Sequence, residues 1–305
     1  MFVTDPQAFL SAWDSGAFMP CRPATARGAF LVAPASGTLA AESASDNRYM
    51  VPAGTADADA LRAQHDGLAR RLGADLPVVT FPGDAGAPDG LFPNNVFGSV
   101  RGRLVVGRMR HPVRQREAAR SDIRGFFRDV LGYASWDLSQ RTDLVAELTG
   151  ALVIDRARGV GFCGLSGRCD LAGARAMHAA FGLRLTLAFE LAPGEYHANV
   201  VLAILAGRAA ILAPDGFRDA AVAAAIARAY AGATVQLDAA QKRAFAANAI
   251  SLAPDRAWMS TAAADSLAPA QRALLQRHGF ALAAADLDEV EKAGGSLRCC
   301  VAEIY

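Results

Sequence analysis

Lysine is almost missing from this 305-residue chain: Lys242 and Lys292 are its only two, and arginine supplies the rest of the 31 basic side chains. With the abundant alanine, this reads as a codon preference rather than a design feature. Net charge is missing too. Thirty acidic groups offset the basic ones and leave +1, which speaks against a chain held to nucleic acid by electrostatics. No apolar run is long enough to span a bilayer. The start, Met1-Phe2-Val3-Thr4-Asp5-Pro6, has neither the basic residues nor the apolar stretch of a secretory signal. Cysteine is sparse and odd in number, with five in all. Cys21, Cys163 and Cys169 lack zinc-like spacing, and Cys299-Cys300 are adjacent rather than two residues apart, so a structural zinc site is not expected. A reducing cytoplasm is the default setting, with no metal or organic cofactor and with Cys163 and Cys300 as buried, inert thiols. No low-complexity linker divides the chain, which is expected to form one domain over 1–305.

What is present is 52% hydrophobic residue content, enough to bury a large core. Short apolar runs fall at 29–33, 78–81, 104–107, 151–154, 160–163, 183–189, 199–205, 209–212, 234–237, 257–260 and 298–304. Amphipathic helical stretches fall at 56–72, 114–130, 171–180, 218–230, 269–277 and 286–292. The alternation predicts an α/β fold. The order is strand, turn, strand, helix, strand, repeating at a pitch of roughly 50 residues. Four such units start near Asn94, Gly150, His197 and Asn248. A fifth needs both chain ends, pairing the strand from Arg298 with the one at Phe30 and closing a ring. The loop 33–51 is long and polar, a candidate lid.

The most telling segment is Gly294-Gly295-Ser296-Leu297-Arg298-Cys299-Cys300, which runs into an apolar strand. A glycine turn can present one sulfur while the strand after it stays fixed in the core. A cysteine there matters if a base and an orienting acid exist elsewhere. His197 lies where a Pro-Gly loop meets a strand, a common place for a catalytic residue although a structural histidine is the plainer alternative. His65, His111 and His178 read as polar helix or loop positions. Glu147, among apolar residues, reads on its own as an exposed edge residue. Asn94-Asn95, after proline and between aromatics, are costly to bury without partners. They either build a turn or offer amides to a planar ligand.

Four motifs together, Phe92-Pro93-Asn94-Asn95, Glu147-x-Thr149-Gly150, Tyr196-His197-Ala198-Asn199 and Gly294 to Cys299, resemble the amidinotransferase or guanidine-modifying (pentein) superfamily. The likeness is to its arginine deiminase-related or citrulline-utilisation branch, with Ser166 to Asp170 and Phe245-Ala246-Ala247-Asn248 as supporting matches. The resemblance spans roughly 30–305 and implies a five-bladed α/β propeller of ββαβ units. It implies Cys299 as nucleophile, His197 as general acid/base and Glu147 as the acid that orients it, with a cationic imidazole stabilising the thiolate. Asn95 and Asn199 stand where relatives carry guanidinium-binding aspartates. An amide both donates and accepts, which favours a neutral ureido group. Asp89 is a further substrate-side candidate. Arg168, then Arg298, are the candidates for the substrate carboxylate. Leu148 stands where the branch has glycine, which implies a shifted Glu147 loop.

The function implied is a cysteine-dependent hydrolase of linear C–N bonds, converting citrulline to ornithine, ammonia and carbon dioxide. Arginine dihydrolase, deiminase or dimethylarginine hydrolase, amidinotransferase, and a non-catalytic binding propeller are the alternatives. The partner expected is a small amino-acid substrate, with no nucleic acid, no membrane, and a homodimer left open.

Overall fold

In the computed structural model, residues 1–37, 40–51 and 56–305 are described; Thr38 and Leu39 of the expected lid loop lie outside them. Among the described residues the strands form five small sheets rather than one. Four repeat a single pattern, in which two antiparallel strands are followed by a helical crossover to a third strand parallel to the second. Phe97–Val100, Arg103–Val106 and Ala134–Asp137 form one such sheet. Leu152–Asp155, Val160–Leu165 and Leu185–Glu190 form the next, and Leu202–Leu205, Ala209–Leu212 and Thr234–Gln236 another. In the fourth, Ala302–Ile304 pairs antiparallel with Gly28–Val32, which pairs parallel with Val78–Phe81, so the two chain ends share a sheet. In the last, Arg256–Ser260 and Ala281–Ala285 are parallel, and the expected antiparallel partner shrinks to the bridge Ile250↔Trp258.

Helix starts follow the side-chain caps. Asp57, Asp170 and Asp219 accept backbone N–H bonds at the heads of Ala58–Leu72, Leu171–Ala180 and Ala220–Ala229. The helix expected from Arg218 therefore begins only after Asp219. The stretch expected as one helix over 114–130 is broken. Pro112–Gln115 runs on into Arg116–Ala119, and Ser121–Gly125 into Phe126–Val130, and the chain kinks between the two runs at Arg120, whose ψ is 99°. The expected strand 298–304 is also corrected. Leu297–Cys300 forms a helical turn and the strand is Ala302–Ile304, so Cys299 sits before the strand. The helix expected over 286–292 is only Asp288–Glu291. A two-residue strand, Phe2–Val3, edges the sheet of Leu185–Glu190, too short to read from periodicity. Where the two chain ends meet, Phe30 is fully buried with rings from Phe81, Phe97 and Phe127 edge-on to it. Such contacts add about 0.5–1.5 kcal/mol each beyond simple burial.

His65 departs from its expected polar setting. It is wholly buried on Ala58–Leu72. Burial holds its pKa below the ordinary histidine value against the pull of Asp66, 3.9 Å away. The unfolded chain then binds a proton that the folded chain refuses. Stability from this group is full above about pH 6.5 and is lost as pH falls toward the folded value. In His65→Leu the melting temperature should fall less than in the parent between pH 7 and pH 5, as followed by circular dichroism.

Candidate active site

Each of the five units contributes the turn just ahead of its first strand or bridge. These turns are Pro93–Asn95, Leu148–Ala151, Ala198–Val200, residues 245–248, and Leu297–Cys300. The turn Leu148–Ala151 packs on Pro93–Asn95 and on Ala198–Val200, and Leu297–Cys300 packs on Pro93–Asn95. The fold thus brings together turns as far apart in sequence as Pro93–Asn95 and Leu297–Cys300.

His197 is fully buried, and its Nε2 lies 2.8 Å from Glu147 Oε2. Glu147 is not the exposed edge residue of the plain reading; it too is fully buried. The Arg110 backbone N–H donates to its Oε1 at 3.1 Å, and Arg168 Nη1 donates to Oε2 at 3.3 Å. Burial would raise its pKa, but the Arg168 charge, the His197 bond and the Arg114 charge outweigh this and hold it well below the carboxylate range. An ionised Glu147 can only accept, so Nε2 carries the proton. His197 Nδ1 is left with its lone pair and no protein partner. Leu148 opens its helical turn with negative φ, since among the described residues only Ala206 and Phe245 are non-glycines with positive φ.

Cys299 is buried, with about 1% of its surface exposed, and the turn presents it to an enclosed cavity rather than to open solvent. Asn248 Nδ2 donates to its sulfur at 3.3 Å and Asn199 Nδ2 at 3.8 Å. Burial pushes the Cys299 thiol up, against the Ser296 backbone and the Asn248 amide. Burial pushes the His197 imidazole down, against its bond to Glu147. Both shifts favour the neutral forms, a thiol and an imidazole, in the closed site.

Cys299 and His197 line one closed cavity of about 20 Å³, together with Asp89, Phe92, Asn95, Arg114, Arg168, Asn47 and Met50. The segment 43–51 covers it: Asn47 Nδ2 donates to Gly294 O at 3.1 Å, and Val51 N donates to Lys292 O at 3.0 Å. Asn95 Oδ1 is buried without a protein partner. Asp89 accepts from the Ser43 hydroxyl and lies 3.9 Å from Arg114. Asn199 sits behind the sulfur, donating to Thr149 O at 3.1 Å, rather than facing the cavity. Gly150 has no room for a side chain. A Cβ there would stand 2.6 Å from Asn95 Oδ1 and 2.7 Å from His197 Cε1.

The two arginines expected at a substrate carboxylate are otherwise engaged. Arg168 uses all three nitrogens on Asp46, Glu147 and the Ser43 carbonyl. Arg298 points away from the cavity, donating to Val301 O at 2.8 Å and Glu303 Oε2 at 2.9 Å. Two residues without an assigned role in the sequence take part. Arg114 reaches the cavity from the broken helix, bonded to Glu117 at 2.8 Å and to the carbonyls of Asp89 and Phe92. Asn248 also accepts from Arg298 N at 2.9 Å, fixing the nucleophile's turn. It hangs from Phe245, held at φ 57°, a conformation that costs a non-glycine residue about 1–3 kcal/mol. The signal for Asn248 was positional: it occupies, ahead of its unit's first bridge, the place that Asn95, Thr149, Asn199 and Cys299 occupy in theirs. Asn248→Ala should lower kcat about 10–100-fold, the worth of a hydrogen bond to a charged sulfur. Measured kcat within twofold of the parent would remove this role.

Over residues 33–305 the chain matches the family described as N,N-dimethylarginine dimethylhydrolase, eukaryotic. The chain belongs to this family. It is accordingly a hydrolase of carbon–nitrogen bonds within the pentein superfamily. No curated protein matches it by sequence comparison. Among solved structures it resembles the N-terminal domain of ArgZ, a cyanobacterial arginine dihydrolase, bound to substrate. The identity is 20%, with 91% of this chain and 97% of that one covered, at a TM-score of 0.79. It also resembles unliganded AgrE, with 21% identity, 91% and 39% coverage, and a TM-score of 0.78. A Pseudomonas aeruginosa DDAH in complex with citrulline matches with 18% identity, 92% and 100% coverage, and a TM-score of 0.72. At these identities the structures speak for the fold. Among the described residues no helix is long and apolar enough to cross a membrane, and no cluster of ligating side chains could hold a metal ion.

Proposed function

We propose that this protein hydrolyses the guanidino group of an arginine-type amino acid, with an N-methylated arginine as preferred substrate and citrulline as product. The chemistry would sit at the centre of a five-bladed α/β ring. The observation that carries this reading is Asp89, a buried carboxylate on the cavity wall whose nearest cation, Arg114 at 3.9 Å, is already paired with Glu117 at 2.8 Å. Asp46, Asp89, Glu117 and Glu147 gather about two buried guanidinium groups, Arg114 and Arg168. Arg110 and His111 reach Asp46 only at the rim, at 3.5 and 3.1 Å. Burial pushes Glu117 up to about 7 against the pull of Arg114, so it is partly protonated near neutrality. Asp89 keeps only the Ser43 hydroxyl and a distant Arg114. A cationic guanidinium balances such a site, and a neutral ureido group does not. Phe92, Met50 and Ala293 supply an apolar wall for N-methyl groups.

The chemistry follows from the protonation states. A bound guanidinium favours the Cys299 thiolate, and His197 Nδ1 takes the thiol proton. The sulfur bonds the guanidino carbon, and the adduct expels an amine that receives the proton from His197. Water then loses a proton to His197 and adds to the same carbon. Breakage of the C–S bond releases the ureido product, and the proton held by His197 passes to the departing sulfur and restores the thiol. The Asn248 and Asn199 amides steady the sulfur wherever it carries charge.

The test is incubation of the purified protein with asymmetric dimethylarginine, arginine and citrulline, with citrulline, dimethylamine, ammonia and ornithine measured. Dimethylamine and citrulline from dimethylarginine, with citrulline itself untouched, are expected. Ornithine from citrulline would overturn this proposal in favour of a ureido hydrolase.

A further inference from the structure

A second groove, of about 610 Å³, is lined by Arg22, Arg27, Arg101, Arg103 and Arg156, with Phe181 and Tyr305 as aromatic walls and no acidic residue. None of the residues that line the catalytic cavity lines it. The whole chain carries a net +1, so five positive charges around one groove are a strong local imbalance.

Three of these arginines are held in place by neutral backbone carbonyls rather than by acids. Arg22 donates to Gly182 O at 3.3 and 3.4 Å, and Arg103 Nη1 donates to Ala180 O at 2.9 Å. Arg156 Nη1 donates to Ser99 O at 2.9 Å, and its guanidinium lies 4.2 Å from the Tyr305 ring centroid. The nearest acid is Glu303, 3.8 Å from Arg156, and Arg298 already pairs with it at 2.9 Å. Arg27 and Arg101 are exposed, and among the described residues their side chains meet no hydrogen-bond or ion-pair partner. Carbonyl contacts fix a guanidinium without cancelling its charge. Like charges inside one Debye length repel until an anion joins them. Arginine forks match phosphate oxygens, and the groove is of the size that holds a small ligand.

We propose that this groove binds a polyphosphate chain, as carried by a nucleoside triphosphate or by inorganic polyphosphate. The phosphates lie along Arg22, Arg27, Arg101 and Arg103. The proposal is independent of the catalytic reading.

Cys21 makes the test direct. It lines the same groove, and it is exposed while the other four cysteines are buried. The rate of Cys21 alkylation by iodoacetamide, read by peptide mass, is measured with ATP, tripolyphosphate, adenosine, or sodium sulfate at matched ionic strength. Saturable protection by ATP and tripolyphosphate, and none by adenosine or sulfate, is expected. Tighter protection by ATP than by tripolyphosphate marks a nucleotide as the source; equal protection marks the phosphate chain alone. In Arg27→Ala/Arg101→Ala the apparent affinity should fall by about tenfold or more, as two charge-assisted contacts are lost. Guanidino turnover by that variant should not change. No protection by either polyphosphate, equal protection by sulfate, or full protection in the double variant each overturns the site.

Discussion

Cys299→Ala is expected to abolish turnover of dimethylarginine and arginine, a loss of at least about 10⁴-fold, while the protein remains folded. The two effects separate because of how the sulfur is held. Its amide neighbours do not depend on it: Asn248 Nδ2 also donates to Asn199 O at 2.9 Å, and Asn199 Nδ2 to Thr149 O at 3.1 Å. Removing the sulfur therefore leaves each amide nitrogen its carbonyl acceptor, and the cost is that of one small vacated volume and two weak N–H···S bonds, about 1–3 kcal/mol. Product formation and the thermal midpoint, measured on one preparation, check both halves. Activity within tenfold of the parent would reassign the nucleophile, whereas a collapsed fold would show that the turn depends on its thiol.

Glu147→Gln should lower kcat by about 10²–10⁴-fold with a smaller change in KM. The shape is kept, but an amide is satisfied by either imidazole tautomer. His197 Nδ1 is then no longer obliged to present a lone pair to the cavity. The variant also leaves Arg168 with one carboxylate instead of two, and breaking a buried ion pair costs about 3–5 kcal/mol. Loss of the carboxylate removes the interaction that supports the His197 pKa. The limb of the kcat–pH profile governed by imidazolium should therefore move to lower pH. A destabilised variant with an unchanged pH profile would make Glu147 a structural residue only.

Much of this was legible in the chain because chemistry and local geometry coincided. Val78–Phe81, Ala209–Leu212 and Leu171–Ala180 fall where periodicity and capping place them. His197 and Glu147, named from motifs, meet at 2.8 Å. What was not legible depended on direction. Arg114 lies in a stretch that reads as a surface helix, yet the kink at Arg120 lets it turn inward to two carbonyls. Asn248 stands in an alanine-rich turn, and only the repetition of the turn across five units gives it a place beside the sulfur. Arg168 reads as a substrate anchor, but residues 43–46 arrive from more than 100 positions away to occupy it.

That occupation makes the door and the engine share a single cation. Arg168 holds Asp46 of the covering segment with one side of its guanidinium and Glu147 with another. A substrate that enters by lifting residues 43–51 takes Asp46 away and leaves the whole charge to Glu147. That would hold the carboxylate ionised while the site stands open. On the return of the cover Asp46 would share that charge again, as it does in the closed structure. Entry and proton transfer would then be timed by one side chain passed between two acids.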